Sequence, residues 1–195
     1  RISVSYDIFV VKYEASGNVV WAKSAGGTNS DYGNGIAVDA TGNSYVTGSF
    51  NSSTITFGTT TLPNSGNADI FVIQFDSNGN VVWAKSAGGT NSDYGYSIAV
   101  DASGNSYVTG NFRSSTITFG TTTLTNSGSN DIFVVKYDAS GSVLWAKSAS
   151  GTSDDYGNNI AVEASGNSYV TGRFYSSTIT FGTTTLTNSG WADIF

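Results

Sequence analysis

Asp93-Tyr-Gly-Tyr-Ser-Ile-Ala-Val-Asp-Ala-Ser-Gly-Asn-Ser-Tyr-Val-Thr-Gly110 holds two short apolar runs on either side of a tight turn. Residues 97–101 and 106–112 are rich in β-branched and aromatic side chains, which suit extended chain. Between them, Ala102-Ser-Gly-Asn105 supplies residues that favour turns. The same stretch returns at 31–48 and 155–172, and the repetition extends well beyond it. Asp-Ile-Phe occurs at Asp7, Asp69, Asp131 and Asp193, each 62 residues after the last. Trp21, Trp83 and Trp145 keep that spacing, as do Tyr32, Tyr94 and Tyr156. A fixed period of this size marks stacked copies of one supersecondary unit. We therefore expect a single array over 1–195, with units 7–68, 69–130 and 131–192, and residues 193–195 opening a fourth.

The rest of the unit also reads as strands. In the first copy, Asp7–Tyr13 is an apolar run, Ala15-Ser-Gly-Asn18 a turn, and Val19–Ser24 the return. Gly26–Asp31 is expected as a loop, Gly35–Asp39 as a third strand and Ser44–Phe50 as a fourth. Ser53–Phe57 then alternates Thr with Ile and Phe, the period of a half-buried strand. Gly58–Leu62 and Asn64–Gly66 carry the chain to the next copy. No apolar period of 3.6 persists beyond one turn, so essentially no helix is expected. Four strands in two tight hairpins must stack on neighbours to bury their faces, as in a β-propeller blade or a β-solenoid.

The stretch 93–110 resembles the bacterial SBBP-type β-propeller repeat, as do 31–48 and 155–172. Asp131-Ile-Phe-Val-Val-Lys-Tyr-Asp138 and Val143-Leu-Trp145 are similar to the strands that accompany it. The resemblance implies an all-β fold of three tandem 62-residue propeller-type blades, with an open stacked β-solenoid-like array as the alternative. It also implies a place in secreted or surface proteins, and it carries no shared catalytic residue or ligand. A ring needs roughly 4–8 blades, so three are expected to be completed by other copies, by a larger array, or by open stacking.

Composition narrows the chemistry. The 195 residues include no Cys, no His and no Met, with 14 acidic and 8 basic side chains for a net charge of -6. Absent Cys and His exclude thiolate sites, disulfides, imidazole bases and imidazole-bound metals. The acidic balance opposes nucleic acid and anionic membranes, and no run of about 20 apolar residues could insert into a bilayer as a helix. Gly, Ser, Thr and Asn make up about half of the chain, yet 13% of residues are aromatic, which argues for packing. The sequence opens on Arg1 in a β-like stretch, without a basic region followed by an apolar one. We expect a processed product or a window of a longer chain.

Carboxylates are the available acid–base groups. Asp39, Asp101 and Glu163 share one repeat position, and Glu14, Asp76 and Asp138 another, each before a turn that an Asp or Asn side chain would close. Groups that recur in every unit do not make one asymmetric active site, so a carboxylate glycosidase ranks last and no enzyme is expected. Asp31, Asp93, Asp154 and Asp155 lie in oxygen-rich loops and are the calcium candidates, set against a purely structural role; no other cofactor is expected. Trp21, Trp83 and Trp145 are expected between units rather than as sugar platforms. Phe9, Phe71 and Phe133 belong to that same core, and Tyr45, Tyr107 and Tyr169 are expected half-buried. The Thr-rich segments 53–62, 115–124 and 177–186 suit a solvated strand face, and Asn51-Ser-Ser53 is the one N-glycosylation sequon.

Where the copies differ, exposure is expected: at Asn34/Tyr96/Asn158, Ser49/Asn111/Arg173, Asn51/Arg113/Tyr175 and Asn67/Ser129/Trp191. Tyr96, Arg113, Arg173, Tyr175 and Trp191 are the interaction-surface candidates, because aromatic and Arg side chains favour contacts. The expected function is a structural or adhesive repeat module of an extracellular or cell-surface protein. It would self-associate head to tail through exposed strand edges into a filament or ring. A glycan-binding, lectin-like propeller is the alternative.

Overall fold

A computed structural model describes residues 5–195; the Arg1 stretch expected to be β-like lies outside them. Every regular element described is a strand. The first repeat contributes β1 (Ile8–Tyr13), β2 (Val19–Ala25), β3 (Asp31–Val38), β4 (Ser44–Phe50), β5 (Thr54–Phe57) and β6 (Thr60–Pro63). The second contributes β7 (Asp69–Phe75), β8 (Val81–Ala87), β9 (Asp93–Val100), β10 (Ser106–Phe112), β11 (Thr116–Phe119) and β12 (Thr122–Thr125). The third gives β13 (Asp131–Tyr137), β14 (Val143–Ala149), β15 (Asp155–Val162), β16 (Ser168–Phe174), β17 (Thr178–Phe181) and β18 (Thr184–Thr187), before β19 (Asp193–Ile194). Among the described residues, no helix is long and apolar enough to cross a membrane.

The sheets run out of phase with the sequence repeat. Two antiparallel four-stranded sheets, β3-β4-β7-β8 and β9-β10-β13-β14, each take two strands from one repeat and two from the next. β1-β2 forms a two-stranded sheet and β15-β16-β19 a three-stranded one. Each Thr-rich segment, expected as a single strand, is a separate hairpin: β5-β6, β11-β12 and β17-β18. Gly58 makes this possible. At φ 60° it occupies the first turn position between Phe57 and Thr60, where a glycine suits the twist of paired strands. One hairpin face buries Ile55, Phe57 and Leu62, while Thr56 and Thr61 bond across the other at 3.0 Å.

The third strand starts four residues earlier than its pattern indicates. β3, β9 and β15 begin at Asp31, Asp93 and Asp155, within or beside the expected loop. Each carries a bulge that leaves Asn34, Tyr96 or Asn158 as the extra residue. A bulge breaks the alternation of faces, which hides the first half of the strand from a period-two reading.

Three apolar clusters hold the sheets together. One gathers Ile8, Val10, Phe50, Phe71, Ile73 and Phe75, a second Tyr45, Ile70, Phe112, Phe133, Val135 and Tyr137, and a third Ile132, Phe174 and Ile179. Trp83 is buried and donates its indole N–H to the Ala139 carbonyl; Trp21 does the same to Ser77, each 56 residues away. The tryptophans therefore lock one sheet to the next. Two expectations fail at the ends of the array. Phe71 and Phe133 are fully buried, but Phe9 is 76% exposed because no described strand covers that side of β1. Tyr45 and Tyr107 are wholly buried rather than half-buried, and Tyr169 is 62% exposed.

Candidate functional site

Of the aromatic residues that the repeats do not all share, Tyr96 lies on β9, Tyr175 directly follows β16 and Trp191 lies in the loop before β19. On β9, the bulge at Tyr96 turns its ring alongside Tyr94, parallel within 8° at 6.2 Å between centroids. Tyr156 on β15 lies beneath the Arg173 guanidinium, whose carbon stands 4.8 Å from the ring centre. Tyr175 follows β16 and meets Tyr156 at 84° and Trp191 at 81°, with centroids 6.3 and 6.2 Å apart. Burial pushes the Tyr96 hydroxyl up to about 12, reinforced by Tyr94 and Tyr156. Burial also raises Tyr156, with the Asp154 charge adding to the effect.

The interaction candidates therefore divide. Arg173, Tyr175 and Trp191 are joined through Tyr156 into one cluster, and Trp191 is 90% exposed. Tyr96 is partly buried and stacks on Tyr94. Arg113 is exposed on the preceding repeat. Variation did not mark exposure everywhere. Ser49 and Asn111, equivalent to exposed Arg173, are both buried where β9 packs against β4 and β15 against β10. Asn111 donates instead to Asn130 Oδ1 at 2.8 Å.

The calcium candidates occupy a different setting. Asp31, Asp93 and Asp155 are buried, and their oxygens accept bonds from nearby backbone and serine groups. Asp154 is partly exposed and accepts from Asn130 Nδ2 at 2.6 Å. Among the described residues, no group of three or more acidic side chains is placed to share an ion. The turn acids close turns as their spacing indicates: Asp39 Oδ1 accepts the N–H groups of Thr41 and Asn43, and Asp101 those of Ser103 and Asn105. Lys136 reaches Asp101 Oδ2 at 3.7 Å across the Tyr107 ring.

Asp69 and Asp131, the acids of the Asp-Ile-Phe repeats, stand at the strand entries of β7 and β13 and are buried. Oδ2 of each caps the loop before it, accepting from the N–H of Ser65 or Ser127, while buried Oδ1 has no partner among the described residues. Burial raises both carboxyls to about 6, and the nearby Asp93 or Asp155 adds to the shift. The folded chain thus holds two protons that the unfolded chain releases near pH 4. The associated stability is present below that pH and lost as pH rises through about 6. The turn acids have the opposite sign. Asp39 and Asp101 are held below the usual range, so their contribution is present above it and lost in stronger acid. Between pH 5 and 7.5, urea unfolding is expected to lose about 1 kcal/mol of stability per buried carboxylate. The double variant Asp69→Asn/Asp131→Asn should flatten that slope, and an unchanged slope would assign it to other groups.

Comparison with known proteins agrees with the repeat reading. Residues 20–53 and 82–111 match the family described as SBBP, a β-propeller repeat. An uncharacterised WD repeat-containing protein of Acanthamoeba polyphaga mimivirus is 27% identical over 92% of this chain. The regulatory protein FlaEY of Caulobacter vibrioides is 32% identical over 57% of it. The chain spans 15% and 12% of the lengths of these two relatives.

Proposed function

We propose that this chain, which carries SBBP-type β-propeller repeats at residues 20–53 and 82–111, is a non-catalytic scaffold whose incomplete sheets are closed by further copies of its own strands. Its four-stranded sheets are read here as propeller-type blades, offset from the 62-residue sequence unit. An extracellular or cell-surface setting suits its low charge and its abundance of small hydroxyl and amide side chains.

One observation carries the reading. Ser-Tyr-Val-Thr-Gly-x-Phe is buried along its whole length in β4 and β10 but alternately exposed in β16. In β4 and β10 the outer edge pairs in full with an Asp-Ile-Phe strand. In β16 only Arg173 and Phe174 have such a partner, in β19. At the other end β1, itself an Asp-Ile-Phe strand, has its partner on one side alone among the described residues. The edge of β16 is open along 168–171, beyond the residues held by β19 and Phe195, and Val10–Tyr13 in β1 of another copy would pair there. Unpaired edges of this kind template association.

Val170→Pro tests it. Gly172 exchanges backbone bonds with Phe195 across the outer edge, so by alternation Val170 also turns its N–H outward. Proline there would remove an edge donor while sparing the ladder to β15. The 195-residue chain is expected to associate in a concentration-dependent way by light scattering. Val170→Pro should weaken that at least tenfold while keeping its strand signal in circular dichroism. A wild-type chain that stays monomeric at high concentration would overturn the proposal.

A further inference from the structure

We infer that Tyr156, Arg173, Tyr175 and Trp191, with Asp154 beside them, form a binding site for a neutral pyranose-based oligosaccharide. The site begins with a repeated frame. In the first repeat, Asn29, Ser30, Tyr32, Asn51, Gly66 and Asn67 line an open surface groove. A shift of two repeats places Ser153, Asp154, Tyr156, Tyr175, Gly190 and Trp191 at these positions. Tyrosine and glycine are retained, while the rim changes from amide and hydroxyl groups to two aromatics and a carboxylate.

These departures converge. Asn51 becomes Tyr175, Asn67 becomes Trp191, Ser49 becomes Arg173 and Ser30 becomes Asp154. They come from three stretches of sequence, at 154, 173–175 and 191, which the fold gathers along Tyr156 and Tyr175. Scattered drift between duplicated units would not favour one spot. The loop that carries the indole is also pinned, by side chains on both sides of Trp191. Ser189 N–H donates to Asp193 Oδ2, and Gly190 N–H to Asn188 Oδ1, both at 2.8 Å.

The chemistry selects the ligand class. Tyr175 stands nearly perpendicular to both Tyr156 and Trp191, which makes a corner of aromatic faces. A pyranose offers an apolar C–H face to such a ring and a rim of hydroxyls around it. Arg173, held over Tyr156, can donate to those hydroxyls, and Asp154 can accept from them. With one cation and one carboxylate at the corner, an uncharged ligand fits better than an acidic one. This reading does not depend on association, since none of the five side chains lies on the open length of β16 at 168–171.

Screening the chain against neutral hexose and N-acetylhexosamine oligosaccharides, then titrating the strongest by calorimetry, tests the inference. At least one should bind. Trp191→Ala and Tyr175→Ala should each weaken it tenfold or more, and Tyr175→Phe should retain most of it. Val170→Pro should bind as wild type does, which separates this site from the scaffold proposal. Absence of binding across the panel, or binding untouched by both alanine variants, would overturn the inference.

Discussion

Gly110→Ala is expected to cost about 4 kcal/mol or more, a large share of the roughly 5–15 kcal/mol available to a folded domain. Gly110 sits in β10, opposite Gly95 on one side and Phe133 on the other. A methyl group at Gly110 would lie 1.9 Å from the Tyr94 carbonyl oxygen and 2.9 Å from the Phe133 ring. Neither neighbour can yield cheaply. The carbonyl is part of a bulged strand, and the fully buried ring of Phe133 rests on the glycine from the facing strand. Moving the strand would break a ladder; tilting the ring would disturb Phe119, whose centroid is 5.1 Å away. Gly48 repeats this arrangement with Tyr32 and Phe71, so Gly48→Ala should behave alike and the double variant should fail to fold. Gly17→Ala supplies the contrast. At φ 89° with no atom within 4 Å of the added carbon, it should cost only the backbone strain, about 1 kcal/mol. Urea unfolding of the three single variants measures the difference, and equal losses at Gly17 and Gly110 would refute the packing account.

The same glycine shows what could be read beforehand. Strand content, turns and the 62-residue period follow from local chemistry, because β-branched runs and Asn-Gly turns act within a few residues. Gly48, Gly110 and Gly172 sit inside strand patterns, where glycine signals close approach by another chain segment, but only pairing reveals that the neighbour is a Phe 23 residues later. The phase of the sheets was hidden for a related reason. Internal repetition gives a period without an origin, so nothing local says that β4 pairs with β7 rather than β1. Phe9 and Tyr169 were misplaced because burial belongs to the covering strand rather than to the residue: identical neighbours are buried where that strand is present and exposed where it is absent. The aromatic corner was half legible. Its members stand out as departures from the repeat, whereas their meeting around Tyr156 depends on the fold.

Asp93→Ala should destabilise the chain by about 3–5 kcal/mol through hydrogen bonding rather than charge. Asp93 is fully buried, and its two oxygens serve four donors. Oδ1 accepts the N–H groups of Arg113 and Ser114 at 2.9 and 3.1 Å, and Oδ2 accepts Ser114 Oγ at 2.7 Å and Gly89 N–H at 2.9 Å. Alanine would strand these donors where water has little access, and each buried N–H left unpaired costs about 1–3 kcal/mol. Asparagine would keep the shape but turn an amide donor toward one pair of them, so Asp93→Asn should also lose stability. Asp154→Ala gives up only the bond from Asn130 and should stay within about 0.5 kcal/mol of wild type. The same geometry bears on calcium. A cation at Asp93 would have to displace donors that already hold the carboxylate, whereas calcium seeks six to eight oxygen ligands. The melting temperature should therefore ignore both added calcium and a chelator, while Asp93→Ala lowers it sharply. A rise with calcium that disappears in Asp93→Ala would reverse this assignment and make the carboxylate a ligand rather than a cap.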